Sequence, residues 1–186
     1  MERDSRAAQA RVDRAWGLND ADNLEPAIQI FNRALKLDDR CVNALICRSN
    51  AYIKKALYPE AIADLDRAIG IDPTNYMCFV DRAWARNAAG EHDQALADAL
   101  QAVTLKPENS APYYQRGTAY AGKRNYAKAI EDFTKAIELK PDYALVLIAQ
   151  ENNEGHRTLN DAVRVYADGK VEQLGWPRVD IGYRSG

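Results

Sequence analysis

Residues Ala129 to Asp142 read AIEDFTKAIELKPD, and variants of that phrase stand upstream as AIQIFNRALKLDDR from Ala27, AIADLDRAIGIDPT from Ala61 and ALADALQAVTLKPE from Ala95. Each copy starts 34 residues after the last. In every copy a small leading residue is followed four positions on by Phe31, Leu65, Ala99 or Phe133, and three beyond that by Ala34, Ala68, Ala102 or Ala136. This is the spacing of one helix face. Five residues further, Pro73, Pro107 or Pro141 stops the helix at a fixed place, with Asp39 standing there in the first copy. A strict period of this length predicts stacked supersecondary units rather than one compact globule.

The half-repeat before each phrase supplies a partner helix. Tyr113, Arg116-Gly117, Tyr120, Tyr126, Ala129, Phe133, Ala136 and Pro141 form the fullest copy. Leu45, Arg48-Ser49, Tyr52, Tyr58, Ala61, Leu65, Ala68 and Pro73 form another, and Phe79, Arg82-Ala83, Arg86, His92, Ala95, Ala99, Ala102 and Pro107 a third. Small residues let two antiparallel helices approach closely, and large ones a turn away fill the seam. In length and in these positions the chain resembles the tetratricopeptide repeat (TPR) family. The resemblance implies an all-α fold, a right-handed superhelical solenoid of antiparallel helix pairs. Its four repeats are expected over residues 1–143, at about 8–41, 42–75, 76–109 and 110–143, with breaks near 20–24, 38–41, 55–58, 72–75, 89–92, 106–110 and 122–125. The first repeat is the weakest match, with Arg11, Ala15 and Leu18 on its first helix and Gly17 inside it. In the third, Ala99 and Arg86 stand where bulkier or aromatic residues are expected, which predicts thin packing unless Trp84 or a neighbour fills the gap.

Past Pro141 the pattern decays. Asp142 can cap a helix from Tyr143 to about Asn152, Gly155 breaks it, and a second helix is predicted from about Thr158 to Asp168. Residues 144–169 are thus expected to form a degenerate capping helix pair, followed by a tail over 170–186. The run Ala144 to Ala149 is apolar on every side, so as a helix it needs cover from the tail or from a partner subunit.

With 47% hydrophobic and 28% charged residues, the 186-residue chain has the composition of an ordinary folded domain. A net charge of -2 offers no general attraction for nucleic acid or anionic lipid. The charged start, Met1 to Arg6, lacks the apolar stretch of a secretory signal, and no run is long enough for membrane insertion. A cytoplasmic protein is expected, with a removed targeting segment the alternative. Cys41, Cys47 and Cys78 have no metal-ligand spacing, and reduced buried thiols are the default. Two histidines, His92 and His156, have no partner at metal-binding spacing, and no glycine-rich phosphate loop or nucleophile elbow is present. No catalytic, cofactor or metal site is expected. The acid pairs Asp64/Asp66 and Glu131/Asp132 read as a solvated outer surface.

By resemblance to the family, the first helices of the repeats line a concave trough. The residues expected to bind there are Asn50, Trp84, Asn87, Tyr114 and Gln115, with Asn43, Lys54, Met77, Asp81 and Thr118 around them. Amides can satisfy an extended backbone and aromatics can anchor apolar side chains. The family's carboxylate clamp for chaperone tails is not matched: Ile46 stands where a Lys is required, and Asp81, Ala111 and Gln115 occupy later clamp positions. The expected function is a non-enzymatic scaffold or adaptor that binds a peptide segment of a protein partner in its groove. The alternative is a structural or assembly subunit of a larger complex, held through the cap and tail. The oligomeric state stays open.

Overall fold

The computed structural model describes residues 2–16, 24–140, 146–151, 157–165 and 171–174. Its helices are α1 (Glu2–Trp16), α2 (Leu24–Leu37), α3 (Val42–Lys54), α4 (Tyr58–Ile71), α5 (Tyr76–Ala88), α6 (His92–Leu105), α7 (Ser110–Gly122) and α8 (Tyr126–Leu139). The starts of α3, α5 and α7, and those of α2, α4, α6 and α8, recur at the sequence period. Each helix packs on the next in sequence, and α3 and α5 also adjoin α1 and α7 respectively and each other. Over α1 to α8 this is the all-α helical-repeat fold that the resemblance implies. Gly17 and Leu18, expected on the first helix, and residues 20–23 of the first expected break lie outside the described residues.

The alanines explain how closely the pairs approach. Ala27, Ala61, Ala95 and Ala129 are buried at the crossings, as are Ala34, Ala68, Ala102 and Ala136 two turns on. At Gly117, a Cβ would stand 2.8 Å from the Phe133 ring, so a side chain there would collide with the seam. Phe31 and Leu65 fill the equivalent gap in the earlier repeats and are fully buried.

One turn recurs inside the repeats. After α3 the amides of Ala56 and Leu57 donate to the carbonyls of Ile53 and Tyr52; Gly90 and Glu91 do the same after α5, and Arg124 and Asn125 after α7. This six-to-one and five-to-two closure needs a left-handed residue at its centre. That residue is Gly90 (φ 82°) in one repeat but Ala56 (φ 57°) and Arg124 (φ 60°) in the others.

Only one member of each acid pair is solvated: Asp66 and Glu131 are exposed, whereas Asp64 and Asp132 turn inward. Asp64, Asp98 and Asp132 are buried, each gripped at both oxygens by an arginine 16 residues earlier. Arg48 holds Asp64 at 2.7 and 2.6 Å, Arg82 holds Asp98 at 3.0 and 2.6 Å, and Arg116 holds Asp132 at 2.8 and 2.6 Å. Arg48 and Arg82 also reach back to Asn32 and Asp66 of the preceding repeat, at 2.5 Å each. Arg116 has Leu100 at that position instead. Each guanidinium lies near an aromatic ring: Tyr52, Phe79 and Tyr113 at 5.8, 5.7 and 5.3 Å. The reason is sterics at the crossing: the small residue after each arginine brings the two helices so close that a polar pair between them loses water and must satisfy itself.

The third repeat is filled differently from expectation. Arg86 turns inward and donates to Asp98 at 2.7 Å, joining Arg82 on the same carboxylate. Its aliphatic stem occupies space that an aromatic ring takes elsewhere, while Trp84 points outward.

The described residues within 144–169 do not form the expected capping helix pair. They contain β1 (Val146–Glu151) and β2 (Arg157–Val165), and β3 (Val171–Leu174) completes an antiparallel three-stranded sheet in the order β1-β2-β3. Val146 pairs with Val163 and Glu151 with Arg157, and the register shifts between Ile148 and Ala149. A short apolar run bounded by turn residues reads equally as a buried helix or a strand, and here the β-branched Val146, Ile148, Thr158, Val163 and Val165 favour the strand. Of the tail only Val171–Leu174 is described, and as β3 it pairs with β2, from Ala162↔Leu174 to Val165↔Val171. Trp176 and the residues after it lie outside the described residues.

Candidate peptide-binding face

Arginines 48, 82 and 116 fix which side of α3, α5 and α7 meets the second helices, because each reaches across to α4, α6 or α8. Residues two after or two before them project about 200° round the helix, on the opposite face. Asn50, Trp84 and Tyr114 stand at such positions, and Met77 lies on the same face of α5.

Three large apolar side chains are open on this face. Met77 is 43% exposed, Trp84 40% and Tyr114 39%. Ala88 and Gly122 add small exposed surface beside them. Tyr114 is braced from behind by Phe133, ring centroids 5.6 Å apart and tilted by 49°. Thr118 donates its hydroxyl to the Tyr114 carbonyl at 2.9 Å, which leaves its methyl group as its apolar contribution. At Gly122 a Cβ would overlap the His92 ring, so a side chain there would have to displace that ring.

The amides behave differently from the sequence reading. Asn87 and Gln115 are buried, and Asn87 Nδ2 donates to the Gln115 carbonyl at 3.0 Å, with Gln115 Oε1 at 3.4 Å. His92 Nδ1 lies 3.4 Å from Asn87 Oδ1. These groups sit on the flanks of neighbouring first helices, where the adjacent repeat reaches them before any ligand does. Asn43 is exposed and joins a chain through Gln9, at 2.9 Å, to Asp13. Lys54 is exposed at the end of α3.

Nearer the first repeat the same face closes. Val12, Ile46, Cys47 and Ile53 are buried between α1, α3 and α5. The three cysteines are free and buried, and burial pushes the Cys47 and Cys78 thiols up to about 12. Where the closed part meets the open apolar part, Asn50 Nδ2 donates to Asp81 Oδ2 at 3.3 Å. Burial of the Asp81 carboxyl pushes it up to about 6, against the opposing effect of the Asn50 bond. Asn50 Oδ1 is buried with no hydrogen-bond partner.

Among the described residues no group of three or more side chains could hold a metal ion, and no helix is long and apolar enough to cross a membrane.

Two tetratricopeptide repeat models match the chain, one over residues 12–76 and one over residues 110–143. Among solved structures, the Thermus thermophilus protein TTC0263, a thermophilic TPR protein, superposes with a TM-score of 0.67 at 21% identity, over 72% of this chain and 75% of that one. MamA from Desulfovibrio magneticus RS-1 does so with 0.64 at 20% identity, over 73% and 77%. The first TPR of Spaghetti (RPAP3), bound to HSP90 peptide SRMEEVD, matches with 0.52 at 28% identity, over 54% of this chain and 80% of that one.

Proposed function

We propose that this chain, which belongs to the tetratricopeptide repeat family, is a non-enzymatic interaction module whose open apolar face on α5 and α7 binds an extended peptide segment of a protein partner. The observation that carries the reading is the exposure of Met77, Trp84 and Tyr114 together on one side of two adjacent helices. Isolated exposed apolar residues are ordinary, whereas three on one face form a patch that gains by being covered. Aromatic anchors lose little rotamer entropy on binding, which suits Trp84 and Tyr114 to a hot spot. A related repeat domain is bound to a peptide in its solved structure, which supports a peptide as the kind of ligand. The acidic peptide of that relative is not carried over, because Ile46 and Asp81 stand on this face.

Selection from a phage-displayed library of random linear peptides against the full chain tests the proposal. Peptides recovered on the wild type are expected to lose about thirtyfold or more in affinity on a Trp84→Ala, Tyr114→Ala variant with unchanged helical circular dichroism, since a hot-spot residue is worth about 2 kcal/mol. Full affinity in that folded variant would remove the groove as the site and favour the assembly-subunit alternative.

A further inference from the structure

The three buried aspartates, Asp64, Asp98 and Asp132, are each neutralised by an arginine that grips both oxygens, while Asp81 is half-buried. Asp81 is held in another way. Its carboxylate accepts one long hydrogen bond, from Asn50, and the Asn50 oxygen beside it is buried without a donor. Around it stand the Cys47 thiol on α3 and the Cys78 thiol on its own helix, both of which feel its charge, and beyond Cys47 lies Asp13 on α1. Arg82, on the next residue, is committed to Asp98 and Asp66 on the other side of α5. The corner therefore presents acceptors in excess of donors, at the edge of the open apolar face that carries Met77 and Trp84. A half-buried carboxylate with a single weak donor is costly unless something supplies charge and N–H groups.

We propose that the segment bound on this face carries a lysine or arginine beside its apolar anchors, and that its cationic head docks on Asp81 and the Asn50 oxygen. The proposal rests on the groove reading above and specifies its ligand. The basic side chain lays its stem along the apolar floor while its head completes the hydrogen bonding that the repeats leave undone. It also gives the face a preference opposite to that of a carboxylate clamp: acidic peptides are repelled by Asp81, basic ones are drawn in. Because the Asp81 carboxyl titrates near 6, protonation below that pH removes the attraction.

The peptides selected on the full chain supply the test. Enriched sequences are expected to hold Lys or Arg at a fixed spacing from a large apolar residue. Replacing that basic residue by Met in a synthetic copy, or using the Asp81→Asn variant, should each weaken binding about tenfold or more, with no further loss when the two changes are combined. Wild-type affinity should fall as the pH drops through about 6, and the Asp81→Asn variant should lack that step. Enriched peptides without a basic residue, equal affinity for Asp81→Asn, or a pH-independent wild type would each overturn the charge preference; if binding still requires Trp84 and Tyr114, the groove reading survives it. Binding that ignores both aromatics, or a library that yields no binder, overturns the groove reading and this inference together.

Discussion

Two residues carry costs that the repeat could avoid. Ala56 adopts φ 57° at the turn after α3, where the equivalent residue after α5 is Gly90. A side chain with Cβ costs roughly 1–2 kcal/mol in that conformation, and glycine does not. Ala56 is exposed, so nothing is lost from the core by trimming it. Ala56→Gly is therefore expected to raise stability by about 1 kcal/mol, less the entropy that glycine adds to the unfolded chain, as read from the midpoint of urea unfolding. Asp81 is the second. A carboxyl raised to about 6 in the fold contributes stability that is fully present below its unfolded value near 3.8 and lost as the pH rises through 6. At neutral pH its ionised form is a burden of about 1–3 kcal/mol. Asp81→Asn should then melt above the wild type at neutral pH, with the two curves converging below about pH 4; parallel curves at all pH values would mean that Asp81 is solvated.

The helix pair is where the arginine-to-aspartate bridges act. Arg116 and Asp132 have side-chain exposures of 20% and 8%, so removing one partner strands the other in a site with little water. Arg116→Ala is expected to cost about 3 kcal/mol, while a paired Arg116→Met, Asp132→Leu exchange should recover most of it, because apolar groups of similar size do not need the bridge. Equilibrium unfolding of the two variants checks this, and equal losses would show that the pair adds net stability. The bridges are legible in the sequence as an arginine and an aspartate 16 apart in three successive repeats. Comparing Asp64 and Asp132 only with the acids beside them, at spacings that point apart along one helix, hides the arginine on the facing helix. The helices from α3 to α8 are legible, since period, alanines and prolines point to the same breaks, whereas α1 begins at Glu2, ahead of the start expected near residue 8. The strands are not: Val146 to Ala149 is too short for its periodicity to separate helix from strand. At the candidate site, exposure of Trp84 and Tyr114 follows from position alone. The loss of Asn87 and Gln115 to one another does not, because it depends on how near α5 and α7 lie.

At the scale of the whole chain, stability follows from neighbours. Each helix packs chiefly on those adjacent to it in sequence, so damage to one pair is felt by the next and fades beyond it. Ala129 is buried at the crossing of α7 and α8. An arginine there must either splay the pair or bury an unpaired charge, a loss of several kcal/mol by the standard of large single-residue effects. In a globule with one central core such a change lowers protection everywhere. In this stack Ala129→Arg is expected to expose the amides of α7 and α8 to hydrogen exchange, while those of α3 and α4, around the buried Leu45 and Leu65, keep most of their protection. The open apolar face spans α5 and α7, so the same substitution should abolish peptide binding without touching any side chain on that face. Uniform loss of protection across all helices would show that the repeats unfold as a single unit and that nearest-neighbour packing does not govern this chain.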